Sequence, residues 1–210
     1  MSPLRLNGST SGYTTLDAPA VAGSNTLVLP TSNGSSGQVL STNGSGALSW
    51  IGAGKILQIV STAKTDTFST TTQTAWTDVT GFNVSITPQS SSNKVLVIAS
   101  YYCSITGASG GYYQKLVRGS TDICIGDAAG SRLRASSGTY VNSNFNGGAI
   151  SSQQIVFLDS PSTTSSTTYK LQAYLIAGTH TWQFNIPYAD TDSSSYARFA
   201  STITAMEVAA

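Results

Sequence analysis

The stretch "NKVLVIASYYCSIT", residues 93–106, is a nearly continuous run of apolar and β-branched side chains with no charge after Lys94. β-branched and aromatic residues favour extended backbone because they pack well on a pleated surface. A short unbroken apolar run of this kind is typical of a strand covered on both faces. We therefore predict a central strand here, buried on both sides.

Other stretches on either side of this run also have the pattern of strands. "GFNVSITP" (81–88) alternates apolar and polar residues, and "TYKLQAYLIAG" (168–178) does the same. In the second stretch the period of two places four residues on one face: Tyr169, Leu171, Ala173 and Leu175. Loops rich in Ser, Gly and Asn separate about eight to ten such runs. The pattern predicts a two-sheet sandwich of jelly-roll type over residues 55–210.

The composition supports an all-β protein and argues against several functions. The chain of 210 residues holds ten Lys and Arg against nine Asp and Glu, a net charge of +1. Ser and Thr, 62 residues together, occupy positions that Lys and Glu usually fill on helical surfaces. A near-neutral chain without a basic cluster is not expected to bind nucleic acid. No run of 18 apolar residues and no signal-peptide pattern at "MSPLRLNGSTSG" is found, so we expect no membrane insertion.

The first fifty residues repeat with a period of eleven. The spacing relates Gly12, Gly23 and Gly34, and also Leu16 to Leu27, Pro19 to Pro30, Val28 to Val39, and Leu29 to Leu40. One unit buries too few aliphatic side chains to offset the entropy of ordering eleven residues. We therefore predict a homo-oligomeric β-repeat stem, with three chains the favoured number; a flexible Gly/Ser linker is the alternative.

These patterns together predict the domain organisation. Residues 1–50 form an extended β-repeat stem that attaches to other proteins, residues 51–54 form a hinge, and residues 55–210 form a β-sandwich head. The fold class is all-β, with a stem followed by a jelly-roll-like sandwich.

No motif predicts catalysis, a cofactor or a metal. "GAGKI" at 52–56 lacks the first Gly and the Ser or Thr of a phosphate loop. His180 is the single histidine, and no nucleophile-elbow pattern surrounds any serine. Asp190 and Asp192 could offer oxygen ligands to Ca²⁺, but a solvated turn is the favoured interpretation. We predict that the protein is not an enzyme and that Cys103 and Cys124 are reduced thiols.

Four tyrosines near polar loops are candidate receptor contacts. They are Tyr112, Tyr113, Tyr188 and Tyr196. A tyrosine ring stacks on sugars while its hydroxyl forms hydrogen bonds. The alternative places these rings in the sheets or at a subunit interface.

The string "GSTSGYTTLDAPAVAGSNTLVLPTSNGSSGQVLSTNGSGALSW", residues 8–50, resembles a recurring segment in structural proteins of tailed phages of marine and freshwater cyanobacteria. "WTDVTGFNVSITPQSSSNKVLVIASY" and the closing "STITAMEV" are similar to terminal domains of the same proteins. The resemblance implies a trimeric β-sandwich head reminiscent of C1q or TNF heads.

From the resemblance and the stem repeat we expect a non-enzymatic virion structural protein, a short homotrimeric tail-fibre-type protein that contributes to host attachment. It would be assembled in the host cytoplasm and lie on the virion surface. Its partners would be other virion proteins, through the stem, and a host surface glycan. The alternative is a capsid decoration or head-fibre protein; a glycan depolymerase and a secreted C1q-like module are less favoured.

Overall fold

The computed structural model describes residues 4–17, 19–21, 23–52, 54–107, 110–141 and 149–210. The chain divides into two compact units, Met1–Ala53 (unit 1) and Gly54–Ala210 (unit 2). Every regular element in the described residues is a β-strand. The all-β prediction is therefore confirmed. Ala53, inside the predicted hinge at 51–54, lies outside the described residues.

Unit 1 contains two separate antiparallel hairpins. β1 (Leu4–Asn7) pairs with β2 (Tyr13–Leu16), and β3 (Gln38–Thr42) pairs with β4 (Leu48–Gly52). Between them a single bridge joins Val28 to Ala47. The eleven-residue periods therefore do not each contain a strand, and a stem is not seen in a single chain.

The period nevertheless has a counterpart in the backbone. Gly12, Gly23 and Gly34 adopt φ values of 76°, 60° and 71°. This left-handed region favours glycine because a Cβ would crowd the carbonyl there. At Gly34 an added Cβ would also lie 2.7 Å from the Trp50 ring, whose Nε1 donates to the Ser32 carbonyl at 2.7 Å.

In the described residues of unit 2, eleven strands form two antiparallel sheets. The strands are β5 (Ile56–Lys64), β6 (Phe68–Thr70), β7 (Trp76–Ile86), β8 (Lys94–Ile105), β9 (Gly110–Arg118), β10 (Thr121–Ile123), β11 (Ser137–Val141), β12 (Ser151–Asp159), β13 (Thr167–Leu175), β14 (Trp182–Phe184) and β15 (Ser201–Val208). The five-stranded sheet has the order β10-β9-β13-β7, with β11 also on β9. The six-stranded sheet has the order β5-β15-β8-β14-β6, with β12 also on β8. The predicted sandwich is thus confirmed.

The core lies between these two sheets. β13 buries alternate residues as predicted, from Tyr169 to Leu175. β8 is central as predicted, but only one of its faces is buried along the whole strand. Val95 and Val97 are fully buried, whereas Leu96 and Ile98 on the other face are half-buried. The prediction of two covered faces is therefore wrong at Leu96 and Ile98, and it holds at Ser104, whose hydroxyl donates to the Ile186 carbonyl.

A carboxylate buried beside the core is fully hydrogen-bonded. Glu207 is fully buried and accepts hydrogen bonds of 2.6 Å from Asn93, Gln58 and the backbone N–H of Gln89. Burial opposes the charge of this carboxylate, but the hydrogen bonds hold the pKa of Glu207 below its ordinary value. This side chain therefore ties β15 to β5 and to the turn before β8.

A second buried carboxylate joins the two sheets. Asp159 on β12 accepts from Arg118 on β9 at 2.8 Å and from the Tyr169 hydroxyl on β13 at 2.7 Å. Burial, together with the hydroxyl's hydrogen bond to this carboxylate, raises the pKa of Tyr169. Because both charged groups are hydrogen-bonded, the ion pair between Asp159 and Arg118 stabilises the contact between the two sheets.

Candidate functional site

The two cysteines and the histidine pack against other residues of unit 2. Cys103 is buried and Cys124 half-buried, and both are free thiols. Burial raises the pKa of the Cys103 thiol to about 12, so it is an unreactive thiol. His180 Nδ1 lies 3.0 Å from the Thr106 carbonyl, and its ring fills space that a Cβ at Gly178 would occupy. These contacts pack the loops at one end of unit 2.

The carboxylates do not cluster as metal sites do. Within the described residues no three His, Cys, Asp or Glu side chains lie close enough to hold an ion. Asp190 instead pairs with Arg198 at 2.5 Å. Together with Asp192 and Tyr196 these residues line an open depression of about 310 Å³.

Unit 1 leaves its apolar side chains exposed. Leu16, Leu27 and Leu29 are 61%, 69% and 70% exposed, and Val39 and Leu40 also exceed 40%. We call these five residues the unit 1 apolar set. They are the same residues that define the eleven-residue period. Pro19 is exposed as well, and Pro30 is half-buried. The period thus identifies positions that the chain does not bury by itself.

The structure separates the two neighbouring tyrosines of β9. Tyr112 is fully buried between the sheets, and its hydroxyl lies 3.3 Å from Ser151 Oγ. Its burial raises the pKa of Tyr112 to about 12. Tyr113 points to the opposite face and is half-buried. Because consecutive strand residues alternate, only Tyr113 can present its ring to a ligand. The prediction of Tyr112 as a receptor contact is therefore corrected.

Tyr113 belongs to a row of aromatic side chains across the five-stranded sheet. Tyr174 is directly opposite Tyr113 on one side and Trp76 on the other. The ring centroids are 6.4 Å apart for Tyr113 and Tyr174, and 5.3 Å apart for Tyr174 and Trp76. We call Trp76, Tyr174 and Tyr113 the aromatic row. All three are half-buried, so each ring retains an accessible part.

Two glycines let aromatic rings lie close to the sheet. Gly138 is opposite Tyr113, and a Cβ there would come within 2.5 Å of the Tyr113 ring. Gly111 is opposite Tyr140, and a Cβ there would meet the Tyr140 ring at 3.0 Å. Tyr140 is 58% exposed and extends the aromatic surface along β11. The result is a shallow surface of rings rather than a cavity.

Hydrogen-bonding groups border the aromatic row. Asp78, next on the outer face of β7, accepts from Lys170 and from Gln172, both at 2.7 Å. Burial partly opposes this, but the two donors keep the pKa of Asp78 below its ordinary value. Lys115 lies 4.5 Å from the Trp76 ring centroid and pairs with Asp122 at 2.7 Å. Rings beside fixed carboxylate, amide and ammonium groups form a surface suited to polyhydroxylated ligands.

Tyr188 and Tyr196 do not join the aromatic row. Both are half-buried in the segment between β14 and β15, and the Tyr188 N–H donates to the Ala149 carbonyl at 2.9 Å. Of the four predicted tyrosines, Tyr112 is therefore in the core and Tyr113 is on a sheet face. Tyr188 and Tyr196 lie in a loop.

Sequence reasoning missed Trp76, Tyr174 and Tyr140 as members of one surface. The period of two places Tyr174 on the face of its strand that does not carry the predicted core residues, and this signal could have been used. The pairing of β7, β13 and β9 could not have been predicted, because these strands lie far apart in the sequence.

Unit 2 is an antiparallel β-sandwich, and comparisons with known proteins give similarity to viral proteins. A structure of infectious bursal disease virus, Gt strain, aligns with 98% of this chain and 46% of that chain, at 14% identity and a TM-score of 0.36. A mutant VP2 protein of the same virus aligns with 94% of this chain and 43% of that chain, at 14% identity and a TM-score of 0.34. The chain spans less than half the length of these proteins.

No family model and no curated protein matches the sequence. In the part of the chain that the structure describes, no helix has the length and apolar character needed to cross a membrane.

Proposed function

We propose that this chain is a non-enzymatic virion structural protein, a short homotrimeric fibre of the tail-fibre type that takes part in host attachment. The observation that carries the proposal is the exposure of the unit 1 apolar set, with Leu27 and Leu29 near 70% exposed. The sequence resemblance of residues 8–50 to phage structural proteins supports the same function.

The energetic argument concerns the cost of leaving these side chains in water. Burying a Leu or Val side chain contributes about 1.5–3 kcal/mol. Each chain of unit 1 therefore forgoes several such contributions when alone. Identical chains wound together would supply the missing contacts for every repeat at once. Unit 1 is accordingly the stem, and it binds other virion proteins.

Attachment is assigned to unit 2. The aromatic row offers stacking surfaces, and Asp78, Lys170 and Gln172 offer fixed hydrogen-bonding groups beside them. Sugars bind such surfaces because one ring face is apolar and the hydroxyls require partners. Three weak sites on one fibre would raise the avidity about 10²–10⁴-fold over a single site. The ligand class is therefore a glycan of the host envelope.

The assembly state is tested by light scattering on the full chain at micromolar concentration. The expected mass is three times the 21.7 kDa chain. A particle of one chain mass would contradict the proposal, because no other copy would then cover the unit 1 apolar set.

Attachment is tested by adsorption of purified protein to host cells and to polysaccharide extracted from them. Tyr113→Ala should weaken both, with Tyr196→Ala as the matched variant in the separate loop. Equal adsorption of Tyr113→Ala and the parent protein would remove the aromatic row from the proposal.

A capsid decoration or head-fibre protein would use the same stem at the shell. The position of the protein in a reconstruction of the intact particle, on tail or on capsid, decides between these two locations. A depolymerase is disfavoured because Asp190 is engaged by Arg198.

A further inference from the structure

The outer face of the six-stranded sheet holds an aliphatic row that crosses four strands. The register places Leu158 of β12 opposite Leu96 of β8, Leu96 opposite Met206 of β15, and Met206 opposite Ile59 of β5. All four point away from the core, because their strand neighbours, such as Val97 and Ala205, are buried inside the sandwich.

The next row on the same face continues the apolar surface and then becomes polar. Val156 is opposite Ile98, which is opposite Thr204, which is opposite Ser61. Ser61 Oγ and Thr204 Oγ1 are 2.8 Å apart, so these hydroxyls already have a partner within the sheet. We call these two rows the aliphatic face.

The aliphatic face is accessible in a single chain. Ile59 is 57%, Val156 53% and Leu158 47% exposed. Leu96 and Ile98 at the centre of the face are half-buried. None of its eight residues carries a charge, and the exposed Lys94 borders them on the same face of β8, opposite Val208. A charge-free apolar centre with a polar border distinguishes a protein interface from ordinary surface.

The position of β5 in the chain indicates what covers the face. β5 is the first strand of unit 2, and it begins at Ile56, directly after unit 1 in the sequence. Copies held together by their stems would keep their copies of unit 2 close together, at an effective concentration on the order of millimolar. A second copy of this chain is therefore the occupant that the covalent arrangement favours.

The dimensions of the face suit three copies. Strands lie about 4.8 Å apart, so four strands make a wall about 14–19 Å wide. Three such walls closed into a triangular prism place each sheet about 4–5.5 Å from the common axis. Sheets that pack face to face are about 10 Å apart, so each lies about 5 Å from the midline. Side chains of Leu, Ile and Met size fill that space.

We propose that the aliphatic face is the contact between heads: the faces of three copies converge and bury Leu158, Leu96, Met206 and Ile59 around the fibre axis. This inference rests on the proposed homotrimeric fibre and specifies which surface of unit 2 it uses. It leaves the aromatic row, on the other sheet, pointing away from the shared contact in each head.

Oxidation of Met206 tests the inference on the full chain. Met206 is half-buried in a single copy and lies at the centre of the aliphatic row. Peroxide converts an accessible methionine to its sulfoxide, which peptide mass spectrometry quantifies. In the parent protein we expect oxidation of Met206 to be severalfold slower than in the double variant Ile59→Lys/Leu158→Lys. Added charges at the two edges would separate the faces without entering the core of unit 2.

The matched control is Thr80→Lys/Ser85→Lys, which adds the same charges at exposed positions of β7 on the other sheet. It should oxidise at the parent rate. The milder pair Ile59→Thr/Leu158→Thr, which places a β-branched residue at both positions, serves if the lysine pair fails to fold by circular dichroism. In this variant too, Met206 should oxidise faster than in the parent protein.

The outcomes separate this inference from the proposed function. A trimer by light scattering in which parent and variant Met206 oxidise equally fast would overturn the inference and leave the fibre intact. A mass of one chain would overturn both. Protection of Met206 that arises only in whole particles would assign the face to another virion protein and would also overturn the inference.

Discussion

Unit 2 buries its apolar side chains in a core, whereas unit 1 leaves its repeated apolar side chains exposed. Unit 2 buries Phe82, Tyr101 and Phe184 completely between two sheets of its own chain. Unit 1 exposes Leu27 and Leu29 on a segment for which the described residues show one isolated bridge. The same chain thus builds its own core in unit 2 and leaves the repeated apolar residues of unit 1 in water. Hydrophobic residues that recur in register but remain exposed are the basis for proposing that unit 1 packs against other copies.

The largest effect should come from the core of unit 2. Phe82→Ala removes a ring that packs 4.9 Å from Phe184 and 6.0 Å from Tyr101, measured between centroids. We expect a loss of about 3–5 kcal/mol in the free energy of unfolding, measured by urea titration. The loss should be independent of protein concentration, because unit 2 builds this core from a single chain. A concentration-dependent loss would contradict that contrast.

The buried carboxylate should give the next largest effect. The pKa of Glu207 is lowered in the folded state from 4.5, so its stabilising contribution is present above that pH and is lost as the pH falls below it. Glu207→Gln should cost about 1.5–3 kcal/mol at pH 7, since it weakens hydrogen bonds to a charged acceptor. It should also make stability fall less steeply with decreasing pH (a flatter acid limb), as measured by thermal unfolding between pH 7 and pH 3.

Other carboxylates limit how far that limb can flatten. Asp78 also has a lowered pKa, so part of the acid dependence should persist in Glu207→Gln. An unchanged acid limb would show that Glu207 does not contribute to it.

Exposed leucines of unit 1 should affect assembly rather than unfolding of unit 2. Leu27→Ser/Leu29→Ser should move the dissociation midpoint to at least about tenfold higher protein concentration, equivalent to about 1.4 kcal/mol. Sedimentation over a dilution series measures this midpoint. A double variant that assembles like the parent would mean that no copy covers these side chains.

The repeat glycines should give the smallest effect. Gly23→Ala places a Cβ on a residue with φ of 60° and should cost about 1 kcal/mol per chain. Gly52→Ala is the matched control, because an added Cβ meets nothing within 4 Å and its φ is not left-handed. Both variants are compared by thermal melting of the assembled protein. Equal melting temperatures would remove the conformational requirement from the eleven-residue period.

Much of unit 2 was predictable because its strands alternate clearly. The face of β13 that carries Tyr169 and Leu175 followed from the period of two. Tyr112 and Tyr113 could be placed on opposite faces by the same rule, but not assigned to core and surface. That assignment depends on which side the second sheet packs, and local sequence does not encode it.

The failures at β8 and at the aromatic row have the same origin. An unbroken apolar run such as 93–106 does not show which of its two faces the second sheet covers. Leu96 and Ile98 are apolar like Val95 and Val97, yet only the latter two are buried in one copy. Strand register between distant segments, which assembles Trp76 with Tyr174 and Tyr113, is set by the whole sandwich.

The chain has three tryptophans, and each lies in a different environment. Trp182 is fully buried in the core, Trp76 lies on the outer face of the five-stranded sheet, and Trp50 rests on Gly34 in unit 1. Each indole is therefore an intrinsic fluorophore for one event. Single-tryptophan versions would let emission from position 182 follow melting, from position 76 test the proposed ligand contact, and from position 50 test the proposed stem assembly.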